Sequence, residues 1–154
     1  MDYKEICQLI PHRPPFLWVD KVLEFNPDSI RAEKKIPADL ELFQGHYPHY
    51  AIMPGVLLCE AVFQTGALLI GVRLRDKNDK TANRVPVLTR INKAKFKREV
   101  HPGDVIEMTV KLDEEIGSVW FMKGKVLVGG KVAVKVDFSC MLAGKQKTEA
   151  GEGK

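Results

Sequence analysis

The chain has 154 residues, 45% of them hydrophobic and 29% charged, with a net charge of +4. That is enough chain for one domain with one substantial core, and the charge falls far short of a nucleic-acid-binding signature. Three cysteines, Cys7, Cys59 and Cys140, are an odd number without metal-ligand spacing, which speaks against a disulfide framework and fits a reducing, cytoplasmic setting.

The opening residues carry no basic start followed by an apolar run, so no signal peptide is expected. Residues 2–10 predict a short helix closed by Pro11. "FLWVDKVLEF" (16–25) predicts a strand, and Asn26-Pro27-Asp28 a turn. "SIRAEKKIP" (29–37) sets Ile30, Ala32 and Ile36 on one parity and so predicts an antiparallel return. Residues 38–53 read as an irregular loop. Pro54 suits the first turn of a helix, where its missing N–H would be unpaired anyway. That helix is expected to run to Arg73 or Arg75, followed by a polar loop over 76–84. Residues 86–100 are extended and basic, and Pro102-Gly103-Asp104 is a turn. Ile106, Met108, Val110 and Leu112 then alternate with Glu107, Thr109, Lys111 and Asp113, the period of a half-buried strand. Gly117 marks a turn, 118–128 a strand and Gly129-Gly130 a tight hairpin. The last strand sets Val132, Val134, Val136, Phe138, Cys140 and Leu142 on one face, and Lys131, Lys135, Asp137 and Ser139 on the other. The tail, 144–154, is polar apart from Ala150 and is expected to be disordered, leaving a single domain over 1–143.

From Gly55 to Val72 the only charged residue is Glu60. The run approaches the length of a membrane span, but a central carboxylate is disfavoured in lipid and the rest of the chain reads as soluble strands. No membrane association is expected. A helix apolar on every side belongs at the centre of a fold. With five or six antiparallel strands it predicts an α+β architecture, an antiparallel sheet wrapped around one long central helix. One sheet covers only part of such a helix, so a second copy is the economical cover and a homodimer is expected.

The stretch "FQGHYPHYAIMPGVLLCEAV" (43–62) carries the chemistry. The helix start at Met53-Pro54-Gly55 offers unpaired backbone N–H groups and the positive end of the helix dipole, and Gly55 admits a ligand close to the backbone. Glu60 lies further along the same helix among apolar neighbours, where burial favours the protonated acid. Gln64, four residues on, falls on the same face and is placed to orient it. His46, on a loop shaped by Gly45 and Pro48, is a base suited to neutral pH. Taken singly, Glu60 serves equally well as a structural buried acid and His46 as a surface histidine. Together, base, acid and oxyanion donor are the parts needed to remove a proton alpha to a thioester and expel a beta-hydroxyl. His46 and His49 lack a regular ligand spacing, so no metal is expected. Arg90, Lys93, Lys95, Lys97 and Arg98 read most simply as a solvated strand face.

Three segments in order, "IPHRPPFLWVDKV" (10–22), "GHYPHYAIMPGVLLCEAVFQTGALL" (45–69) and "INKAKFKREVHPGD" (91–104), resemble FabZ-type (3R)-hydroxyacyl-acyl-carrier-protein dehydratases. These are hotdog-fold enzymes of fatty-acid synthesis, and the resemblance runs over residues 5–143. It implies a catalytic His at His46 and a catalytic acid at Glu60. It also implies a thioester-holding N–H at Gly55, a carbonyl at Ile52 that orients the His ring, and support of the acid by Gln64. In that family the base and acid of one site come from two subunits. The implied substrate is a hydroxyacyl chain on acyl carrier protein, with no cofactor, since elimination transfers no electrons. Acidic carrier protein is expected to dock on Lys93, Lys95, Lys97 and Arg98, with Arg13 as an addition. Alternation would put the three lysines on one parity and turn Ala94 and Phe96 inward. Assembly beyond the dimer, such as a trimer of dimers, is left open.

The sequence departs from the family pattern in one place. The family's Pro-Gly-x-Pro is Pro48-His49-Tyr50-Ala51 here, so the loop must take another path or tolerate strain. Two other functions fit the same residues: a hotdog thioesterase, with Glu60 activating water, and a carrier-binding partner subunit without turnover. The acid is Glu rather than the Asp of related dehydratase-isomerases, which disfavours isomerisation.

Overall fold

The structure is a computed structural model that describes residues 1–77 and 84–145. Helix α1 (Tyr3–Leu9) is opened by an Asp2/Glu5 capping box that satisfies two backbone N–H groups. Six strands follow in chain order around helix α2 (Gly55–Asp76): β1 (Lys21–Asn26) and β2 (Ser29–Lys35) before it, then β3 (Arg84–Phe96), β4 (Val105–Ile116), β5 (Val119–Val128) and β6 (Lys131–Lys145). All pairings are antiparallel, in the order β1-β2-β4-β5-β6-β3. The sheet curls around α2, the hotdog arrangement expected.

Alternation builds the core. Ile30 and Ala32 of β2, Ile106, Met108 and Val110 of β4, Met122 and Val126 of β5, and Val134, Val136 and Phe138 of β6 are buried. Gly124 of β5 has no side chain where Val62 of α2 presses on the sheet. Leu68, Leu69 and Ile70 of α2 are essentially inaccessible, so truncating any one to Ala would cost about 2–5 kcal/mol.

Several expectations change. The strand expected over 16–25 begins only at Lys21. Leu17, Trp18 and Val19 are buried in succession, so this segment is wedged against the helix rather than alternating. The Trp18 N–H donates to the Gln64 side chain instead of to a neighbouring strand. The loop over 38–53 contains a 3-10 turn, Glu41–Gln44. Strand β6 continues through Gly144 and Lys145, which the tail was expected to include; residues 146–154, and 78–83 of the expected polar loop, lie outside the described residues.

The cover argument also changes. Helix α2 is the described helix long and apolar enough to cross a membrane, and 72% of that window is buried inside the fold. The sheet covers one side, and α1 with residues 16–18 covers much of the other: Leu9 packs on Gly71, and Gln64 is tied to Phe16 and Trp18. Of the apolar positions on α2, Val56 at the start is the exposed one. The larger uncovered apolar surface is on edge strand β3, with Val87, Leu88, Ile91 and Phe96 exposed beside Met141 of β6.

Candidate active site

His46 follows the 3-10 turn, its own N–H bonded to the Leu42 carbonyl. Its ring Nδ1 lies 2.9 Å from the Ile52 carbonyl oxygen. A carbonyl only accepts, so the neutral ring holds its proton on Nδ1 and keeps a lone pair on Nε2, the atom a general base needs. The imidazole lines a groove of about 1140 Å³ with Ile52, Gly55, Val56 and Phe96.

The start of α2 meets this groove. The first helical bonds run from the Leu57 and Leu58 N–H groups to the Pro54 carbonyl, so the N–H groups of Gly55 and Val56 have no role in the helix ladder. The Phe96 ring lies directly over residue 55: a Cβ there would stand 2.7 Å from the ring and would have to push it aside. Phe96 was expected to face inward but is 56% exposed in the single chain.

Glu60 sits elsewhere. Its side chain is 23% exposed, so it is half-buried rather than enclosed by apolar neighbours. The Gln64 amide donates to its Oε1 at 3.0 Å. Gln64 is itself held at both ends, donating to the Phe16 carbonyl and accepting from the Trp18 N–H at 2.8 Å. His12 Nε2 approaches the same Oε1 at 3.6 Å. Glu60 is not among the residues that line the His46 groove. One chain therefore brings together His46, Ile52 and Gly55, and separately Glu60 and Gln64, but does not join the two groups.

The basic residues divide too. Lys97 and Arg98 line the groove, whereas Lys93 and Lys95 do not. The parity argument fails because β3 bulges between Asn92 and Lys95, with Lys93 at φ 47. Arg13 is exposed, and its guanidinium donates to the carbonyls of Cys7, Ile10 and His12, capping the end of α1. In the divergent loop the positive φ falls on Tyr47 rather than His49. The Tyr50 hydroxyl donates to Glu99 at 2.6 Å, and that bond to a carboxylate pushes its pKa up. No cluster of three or more potential metal ligands occurs among the described residues.

The FabA-like domain family matches residues 10–137. The 3-hydroxyacyl-[acyl-carrier-protein] dehydratase FabZ of Anaeromyxobacter dehalogenans is 39% identical over 148 residues, covering 96% of this chain and 94% of that protein. The chain belongs to the FabZ dehydratase family. FabZ of Rickettsia massiliae is 38% identical, covering 94% of this chain and 98% of its own. Among solved structures, the dehydratase heterocomplex ApeI:P from Xenorhabdus doucetiae superposes with TM-score 0.77 at 15% identity, covering 91% of each chain. A hypothetical thioesterase from Streptococcus pneumoniae superposes at TM-score 0.62 and 10% identity, so the fold alone spans different chemistries. Within this FabZ-family chain, two contacts escaped sequence reasoning: His12 against Glu60, and Phe96 over Gly55. The His-Arg pair inside "IPHRPPFLW" was the available signal for the first.

Proposed function

We propose that the protein dehydrates (3R)-3-hydroxyacyl chains on acyl carrier protein to trans-2-enoyl chains, in cytoplasmic fatty-acid or related acyl-chain synthesis. His46 Nε2 takes the C2 proton. The Gly55 N–H stabilises the enolate-like thioester oxygen at the positive end of α2. Glu60 of the partner subunit protonates the departing C3 hydroxyl, so a C–H and a C–O bond break, the C2–C3 double bond forms and water leaves. No electrons are transferred, so no redox cofactor is required. The observation that carries this reading is the 2.9 Å contact from His46 Nδ1 to the Ile52 carbonyl, which leaves Nε2 as a base beside the helix start.

The homodimer reading is supported by two features. The acid and base of one chain are apart, and the exposed apolar row on β3 lies on a sheet edge next to Phe96 and Gly55. A second copy pairing along that edge would bury the row and bring a partner's site residues to the groove. Lys97 and Arg98 at the groove suit acidic carrier protein, and Lys93 and Lys95, which do not line the groove, add to the positive charge nearby.

With (3R)-3-hydroxyacyl carrier protein, the wild type should generate enoyl absorbance and no free thiol. Glu60→Gln, which fills the same space and has no carboxyl proton, should lose about 10²–10⁴-fold in rate with the fold retained. Thiol release without enoyl product would make the protein a thioesterase, and near-normal dehydration by Glu60→Gln would remove the acid from the mechanism.

A further inference from the structure

His12 is a half-buried histidine with no role in the chemistry above. Its Nδ1 is buried and has no hydrogen-bond partner among the described residues. Its Nε2 faces Glu60 Oε1 at 3.6 Å. The Phe16 ring stacks on it at 6.5 Å between centroids. An unpaired buried N–H is costlier than an unpaired acceptor, so the ring keeps its proton on Nε2 and aims that single N–H at Glu60.

Both His12 and the Gln64 amide approach Oε1, and among the described residues no hydrogen bond goes to Oε2. An oxygen that faces two donors is the acceptor end of a carboxylic acid. We propose that His12 is a positioning residue for Glu60: with Gln64 it holds Oε1 as an acceptor, so that the acid proton is carried on Oε2. The inference rests on Glu60 being the acid. The 3.6 Å separation exceeds a hydrogen bond, and catalytic contacts of this kind tighten when substrate binds.

The charged and titratable groups around the pair come from three elements. Glu60 lies on α2. Arg13 adjoins His12 with its guanidinium occupied on backbone carbonyls. Cys140 of β6 faces Glu60, and burial first, then that carboxylate, pushes its thiol up to about 12. Burial holds His12 below its usual pKa, opposed by Glu60 and aided by Arg13. His12 is therefore neutral at neutral pH and becomes a cation only under more acidic conditions. At neutral pH the uncharged ring can therefore donate to Oε1 without taking up the proton that Glu60 must transfer.

Three measurements on the full chain test this. In protein carrying ¹⁵N-labelled histidine, His12 should be the Nε2–H tautomer at neutral pH, and its titration midpoint should fall in Glu60→Gln. His12→Leu should lower kcat about tenfold with KM little changed, the effect of one hydrogen bond to an acid. His12→Gln, which retains an amide donor, should recover most of that loss. An Nδ1–H tautomer, a folded His12→Leu with unchanged kcat, or a His12→Gln that recovers none of the loss would each overturn the proposal. Should His12→Leu not fold, the other two measurements decide. Normal turnover by Glu60→Gln would remove the acid reading itself. An inactive Glu60→Gln beside an indifferent His12 would remove only this inference.

Discussion

Replacing Gln64 by Leu removes the side chain that ties residues 16–18 to α2 and supports Glu60. Gln64 is 1% exposed and makes three hydrogen bonds: from the Trp18 N–H, to the Phe16 carbonyl and to Glu60. Leu nearly matches its volume, so packing changes little and lost polar partners dominate. Trp18 is 4% exposed, so its N–H is left buried, whereas Phe16 is 48% exposed and its carbonyl can meet water. A stranded buried donor costs about 1–3 kcal/mol and a rehydrated acceptor less, so the variant should lose about 2–3 kcal/mol. For a chain of this size that lowers Tm by about 5–10 °C. Urea titration at fixed protein concentration should show the loss as a lower midpoint with an unchanged slope. Glu60 also loses its amide donor, so kcat should fall by roughly tenfold. A midpoint and kcat both indistinguishable from wild type would refute the reasoning, because the Trp18 N–H would then have found water in a place the packing closes.

Lys97→Glu with Arg98→Glu should raise KM for carrier-linked substrate and flatten its salt dependence, while small pantetheine substrates change less; Lys93→Glu should do little, and an equal loss on both substrates would indicate misfolding. His49→Gly with Ala51→Pro restores the family's loop pattern and should shift relative kcat/KM among acyl chain lengths while turnover of a small substrate survives; an unchanged profile would make the departure neutral. The Cys140 thiol is pushed up to about 12 by burial, then by Glu60, and Cys59 is raised by burial, so alkylation of native protein at pH 8 should reach the half-exposed Cys7 and spare both. Modification of Cys140 before unfolding, read by mass spectrometry, would contradict its burial.

The sheet was legible where one face of a strand is buried and the other is wet. Ile106, Met108 and Val110 announce β4, and Gly129-Gly130, both at positive φ, announce the β5–β6 hairpin. Legibility ended where distant residues decide. Leu17, Trp18 and Val19 have strand composition, but a side chain on α2 takes the Trp18 N–H. The lysine parity of β3 broke at a bulge that no local residue signals. Greasiness on every side of α2 was read as a need for a partner, yet α1 and residues 16–18 cover much of the far side within the same chain. In the site, the contacts of His46 with the Ile52 carbonyl and of Glu60 with Gln64 were legible because both are set by short spacings along the chain. His12 was missed because its contact with Glu60 exists only once the N-terminal segment folds over the helix.

The central claim is a site shared between two copies, with His46 from one and Glu60 from the other. His46→Ala and Glu60→Gln should each be inactive alone. Refolded together from denaturant in equal amounts, they should form mixed dimers with one intact site each and recover about a quarter of wild-type activity, since half of the dimers are mixed and half of their sites are whole. Mass spectrometry should confirm the mixed dimer in the same sample. Proven mixed dimers without any recovered dehydration would contradict the shared site and place the base and acid within one chain.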